Sequence, residues 1–191
     1  MRKPYLLALL LALLFSMGAY AQNVVVKNNL LYDAALTPNL SLEMSLNRKQ
    51  TFDLQIGLNP FGGKKDKERF QHLLIQPEWR YWTCERFNGW FIGVHALGGR
   101  YNIGNYKFPF DQLKKYRDHR YEGWFVGVGV GAGYQWVLSR RWSLEAELGV
   151  GNVYTDYDKY RCGLCGTKME SSHDYYFGLT KAAISLVYVI K

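Results

Sequence analysis

Asp33, Glu43, Asp53, Glu78, Arg80, Glu145, Glu147 and Lys181 share the polar side of segments that otherwise alternate apolar and polar residues. Carboxylates held close together can divide into a general acid and a general base, and His95 beside Asp53 or Glu78 would serve a hydrolase or acyltransferase as proton acceptor. Such chemistry also needs a nucleophile next to its base near an accessible rim, and no such constellation is readable in the chain. No catalytic residue is therefore assigned, and the chain is not read as an enzyme. The same residues fit a second role, because acids and bases facing one another in an enclosed space neutralise each other as ion pairs. Arg80 is expected to face Asp53. Lys181 is expected to face Glu145, Glu147 or Asp33, and His95 to bond a carboxylate. A space filled by such pairs argues against an open pore.

Cys162 and Cys165 enclose only Gly163 and Leu164. That spacing suits a zinc half-site, a redox pair or a small loop disulfide. His173 adds one further metal ligand but no second cysteine pair follows, so no metal and no cofactor is assigned. A redox pair belongs at a helix start, which this segment lacks, so a loop disulfide in an oxidising compartment is the favoured reading. Cys84 stands alone.

The elements that must position these groups are strands. From Leu40 to Asn59 apolar and polar residues alternate, with Leu40, Leu42, Met44 and Leu46 on one face and Ser41, Glu43 and Ser45 on the other. After Arg48, Lys49 and Gln50 the pattern resumes with Phe52, Leu54, Ile56 and Leu58 opposite Asp53, Gln55 and Gly57. Side chains on a strand repeat every two residues, so this is a hairpin with one apolar face. The same reading places further strands at Val25 to Leu36, His72 to Trp82, Trp90 to Asn102, Tyr121 to Trp136, Trp142 to Tyr154 and Tyr175 to Ile190. Eight strands are the smallest number that closes a membrane barrel. Short turns alternate with long polar connections, apart from a tight turn at Thr37-Pro38. The fold expected is all-β, an eight-stranded antiparallel up-and-down transmembrane barrel.

Alternation does not say which face is inside, and a soluble ligand-binding barrel would bury the apolar side. The polar face of the sixth strand decides for an inverted barrel: it carries Gly123, Gly127, Gly129, Gly131 and Gly133 opposite Trp124, Val126, Val128 and Val130. Glycine weakens a strand and is useful where a narrow lumen is crowded by large neighbours. Trp82, Phe87, Trp90, Trp136 and Trp142 near the short turns, and Tyr101, Tyr121, Tyr154, Tyr175 and Tyr176 near the long connections, read as two interfacial girdles. Pro77 lacks a ladder donor in mid-strand, so a bulge or a missing hydrogen bond is expected there.

Residues 1–21 read as a cleaved secretory signal: Arg2 and Lys3, then an apolar run from Leu6 to Phe15, then Ala19-Tyr20-Ala21. Residues 22–191 form the barrel domain, expected in the outer membrane as a monomer. The formal charge is +8, or +6 without Arg2 and Lys3. Much of the excess lies in two long connections, at Lys64, Lys65, Lys67 and Arg69 and at Lys114, Lys115 and Arg117. Membrane lipid is the expected surrounding, and lipopolysaccharide phosphate the nearest anionic partner for those loops. Nucleic acid is no partner for an exported chain.

Several stretches carry a resemblance: Lys27 to Asp33 (KNNLLYD), Thr37 to Leu40 (TPNL), Gln76 to Trp82 (QPEWRYW), Cys84 to Gly89 (CERFNG), His95 to Asn102 (HALGGRYN) and Thr180 to Tyr188 (TKAAISLVY). In these the chain resembles the small outer-membrane barrel family of Bacteroidetes known as domain of unknown function 3575. The resemblance implies a cell-envelope barrel found beside fimbrial assembly genes, with fimbrial or envelope proteins as partners and no assigned reaction. Two roles follow as expectations: a structural or surface-interaction protein, or an enzyme modifying lipid or lipopolysaccharide.

Overall fold

The structure, a computed structural model, describes residues 24–60, 69–104, 120–161 and 168–190. Eight strands follow one another around a closed barrel: β1 (Val24–Asn29), β2 (Asn39–Ser45), β3 (Gln50–Asn59), β4 (Arg69–Trp82), β5 (Gly89–Gly104), β6 (Arg120–Val137), β7 (Trp142–Tyr160) and β8 (Lys168–Val189). Every neighbouring pair is antiparallel, and β8 returns to β1 through Val25 opposite Val189. The fold is the expected all-β, eight-stranded, up-and-down barrel. Short turns at residues 46–49, 83–88 and 138–141 mark one end, and the longer connections mark the other.

The distribution of side chains is inverted relative to a water-soluble barrel. Glu43, Asp53, Gln76, Glu78, Arg80, His95, Gln135 and Glu145 are buried inside. Leu40, Ile56, Ile92, Val128, Val130 and Leu148 stand exposed on the outer wall, Val128 by 63%. The strand period of two sends alternate residues to opposite sides, so a single polar–apolar pattern fills the lumen with ions and coats the exterior with hydrocarbon. The glycines of β6 make room: a Cβ on Gly129 would meet the His95 ring, and one on Gly133 would meet the Phe91 ring.

Several expected boundaries move. β1 stops at Asn29, where the side chain accepts a hydrogen bond from the Leu31 amide at 3.1 Å and starts the short helix α1 (Leu30–Ala34). An asparagine cap followed by Leu-Leu-Tyr-Asp-Ala favours the helical turn over a continued strand. The first connection therefore runs from Leu30 to Pro38 and is no tight turn. At the other end of the chain β7 and β8 extend to Tyr160 and Lys168, through segments read as loop. These extensions carry polar residues on both faces, so alternation was absent there, while cross-strand hydrogen bonds kept the ladder. Pro77 leaves a gap without a bulge: β4 pairs β5 at Ile75–Gly98 and again at Glu78–His95 in unchanged register.

The aromatic girdles also need revision. Trp90, Trp136, Trp142, Tyr175 and Tyr176 are exposed on the outside. Trp82 and Phe87 instead turn inward and, with Val25, Phe91 and Val187, form an apolar cluster that closes the short-turn end. The Trp82 ring packs tilted against Phe91, centroids 4.7 Å apart, and donates its indole N–H to Thr51 Oγ1 at 2.9 Å. Tyr121 is likewise buried.

Candidate functional site

Above the aromatic plug lies the charge cluster. Arg80 on β4 is 1% exposed and reaches five carboxylates: Glu147 at 2.6 Å, Glu78 at 2.8 Å, Glu145 at 2.9 Å, Glu43 at 3.1 Å and Asp53 at 3.4 Å. A planar guanidinium with donors along its rim suits this task, which a point-charge ammonium would fill less completely. Lys27 on β1 contacts Glu43 at 2.7 Å, Asp53 at 3.1 Å and Glu145 at 3.3 Å. Lys181 on β8 pairs with Glu78 and, at 3.2 Å, with Glu147. Asp53 also accepts a hydrogen bond from Ser41.

β8 carries a local irregularity that serves the cluster. Gly149 pairs with Lys181 and Val150 with Leu179, so Thr180 is an extra residue in β8. A bulge of this kind re-aims side chains. Lys181 meets the carboxylates while the adjacent Thr180 hydroxyl lies 2.9 Å from His95 Nε2. Small residues on the facing strands give these groups space, since a Cβ on Gly149 would crowd the His95 ring and one on Gly93 would overlap Glu78.

The positions named from the sequence separate clearly. Glu43, Asp53, Glu78, Arg80, Glu145, Glu147 and Lys181 converge in one network. Arg80 does contact Asp53, and Lys181 contacts Glu147 but takes Glu78 in place of Glu145 or Asp33. Asp33 does not belong: it sits exposed on α1 and accepts a hydrogen bond from Asn39 at 3.0 Å. The helix removes it from the strand parity that would have turned it inward. His95 bonds a hydroxyl and not a carboxylate. Lys27 was missed although it has the parity of the residues placed inside, and that parity was the signal available. Cys162, Cys165, Lys64, Lys65, Lys67, Lys114, Lys115 and Arg117 lie outside the described residues, as does the Arg69 side chain.

Chemically, the arrangement is a set of mutually neutralising ions. The residual space among Lys27, Asp53, Arg80, Glu145 and Lys181 amounts to about 10 Å³, which admits about one water. Among the described residues no group of His, Cys, Asp and Glu is arranged to hold a metal ion. An apolar outer wall around a salt-bridged interior defines a class: the small, closed, up-and-down β-barrel whose ionic residues face inward.

Within that class the particular family is given by the sequence. The chain belongs to the family described as protein of unknown function (DUF3575), whose model matches residues 6–190. No curated protein matches the chain.

Proposed function

We propose that this protein is an outer-membrane barrel of the cell envelope, with a structural or surface-interaction role carried by its long connections. The observation that carries the reading is the inverted wall: Leu54, Ile56, Ile92, Val94, Val126, Val128 and Val130 are exposed while Arg80 and its carboxylates are buried. Exposed apolar patches on soluble monomers seldom exceed a few hundred Å², and a continuous belt of this kind has its natural solvent in lipid. Every strand on the ring has two neighbours, as a spanning sheet requires. The aromatic plug and the Arg80 network leave no path for solutes among the described residues, which favours a static barrel over a pore. The connections then become the working surface, presented to fimbrial or other envelope proteins.

Washing isolated envelopes with alkaline carbonate and with urea tests the reading. The mature chain should stay with the membrane and migrate faster on unboiled than on boiled gels. Protease added to intact cells should cut within residues 61–68 or 105–119. Release into detergent-free buffer as a monodisperse species would overturn it.

A further inference from the structure

We infer that the outer wall between β4 and β6 carries a binding groove for an anionic, phosphate-bearing lipid, with Arg100 as the headgroup ligand. The inference rests on the membrane reading above and names a lipid partner and a site for it. β5 presents Trp90, Ile92, Val94, Ala96, Gly98 and Arg100 to the outside, and only the last of these is charged. Ten residues separate Trp90 from Arg100, a rise of roughly 25 Å along a tilted strand and about the height of the apolar band of a membrane barrel. The guanidinium is therefore level with the headgroups of the leaflet at the long-connection end.

Two features distinguish Arg100 from a cation that merely reaches for water. First, it lines a pocket of about 460 Å³ on the wall, with Leu58, Leu73 and Trp124 beside it. Leu73 and Trp124 are its direct cross-strand neighbours on either side. Second, the strand beneath it is a trough. Gly98 lies between Ile75 and Val126, and a Cβ there would find only the Phe125 carbonyl oxygen, at 3.6 Å. Ala96 continues the floor beside Val128. A low floor of Gly98 and Ala96, bounded by Ile75 and Pro77 on one side and by Val126 and Val128 on the other, would accept an acyl chain lengthwise on the strand that carries Arg100.

Charge complementarity selects the occupant. Among the described residues no carboxylate pairs with Arg100. Glu122 lines the same pocket but is engaged by Arg120 at 2.9 Å, and Gln71, also at the pocket, donates to the Pro60 carbonyl at 3.1 Å. A fork of donors above an apolar trough matches a phosphate joined to fatty acyl chains.

The test uses the mature barrel in phosphatidylcholine nanodiscs doped with bisphosphorylated lipid A or with its dephosphorylated form, with retained lipid read by native mass spectrometry. Wild type should retain the phosphorylated lipid preferentially. Arg100→Gln should weaken that retention about fivefold, the factor equivalent to about 1 kcal/mol for one basic residue at a membrane surface. Arg100→Lys should keep most of it. Gly98→Leu fills the trough without touching the charge and should weaken retention too, whereas added inorganic phosphate should not displace the lipid. Equal retention by wild type and Arg100→Gln, or full displacement by inorganic phosphate, would overturn the inference. If wild type fails to enter the discs, the membrane reading itself is lost; if it enters and shows no preference, only the groove is.

Discussion

The two ends of the barrel are held together in different ways. At the short-turn end, β1 pairs with both neighbours, Trp82 and Phe91 fill the lumen, and Arg80 and Lys27 tie together side chains from several strands. At the long-connection end β1 is gone. β8 pairs with β7 from Tyr188 up to Lys168 but with β1 only from Val189 to Ser185. Above that seam the helix α1 stands in, and Asn29 bridges the gap by donating to the Ala182 carbonyl at 3.1 Å and accepting from the Ile184 amide at 3.3 Å. Enclosure and charge pairing cross-link the lower half, while among the described residues the upper half has fewer cross-strand ties between β8 and β1. Closure of the ring is thus secured at the short-turn end.

The contrast is broken most severely at Arg80. Arg80→Met leaves five carboxylates with Lys27 and Lys181 as their remaining cations, and breaking buried pairs of this kind costs about 3–5 kcal/mol. Urea unfolding of the refolded barrel in micelles should show at least that loss, or no refolding. Glu147→Gln should cost far less, on the order of 1 kcal/mol, because acids outnumber bases in the network and one can be neutralised without stranding a cation. Adding Glu147→Gln to Arg80→Met should recover part of the loss. An Arg80→Met barrel as stable as wild type would mean that the lower half owes its cohesion to the ladder alone.

Trp82→Ala should rank next, at about 3–5 kcal/mol for a large aromatic removed from a packed site. It also removes the donor to Thr51 and opens the short-turn end beneath the ion network. Conductance in planar bilayers then becomes a second readout: wild type and Trp82→Ala should both be silent while the Arg80 network still fills the lumen, and Trp82→Ala combined with Arg80→Met should leak.

Much of this contrast was legible beforehand, and the reasons for what was not are local. Period-two alternation marked Glu43, Asp53, Glu78, Arg80, Glu145, Glu147 and Lys181 as inward, because one-sided burial leaves a strong sequence imprint. It failed at Asp33, where an asparagine cap outweighed strand propensity and rotated the chain into α1. It failed at Thr180, where a bulge puts two successive side chains to work inside. Trp82 was assigned to the girdle by its type, although its parity matches that of Arg80 and Glu78. The outer part of the β7–β8 hairpin was invisible because polar residues stand on both of its faces, so its pattern carries no period.

Asn29→Ala addresses the seam. It deletes the bonds to Ala182, Ile184 and the helix cap at once, and a loss of about 1–2 kcal/mol is expected from bonds and cap together. The more telling measurement is amide exchange: protection at Ile184 should fall while the amides of β3 and β4 remain protected. Uniform loss of protection around the ring would mean that both ends open together and that the seam is no separate unit.

The smallest effect belongs to the hairpin beyond the wall. Asp158 pairs with Lys168 at 2.8 Å and accepts a hydrogen bond from Ser171 at 2.7 Å, and these contacts, the lysine first, hold its carboxyl below the ordinary value of 3.8. A depressed carboxylate pKa adds stability above the unfolded value and loses it as pH falls through the folded one. Acidification below about pH 4 should therefore weaken the pairing of Asp158 with Lys168 and Ser171 while the barrel wall stays intact, and the partial exposure of both ions, 32% for Asp158 and 51% for Lys168, keeps the effect slight. Backbone amide shifts followed through an acid titration in micelles should show residues 155–160 and 168–174 moving together. Asp158→Asn should abolish that response. Movement of β2 or β3 amides in the same pH range would tie the hairpin to the lower half and erase the distinction between the two ends.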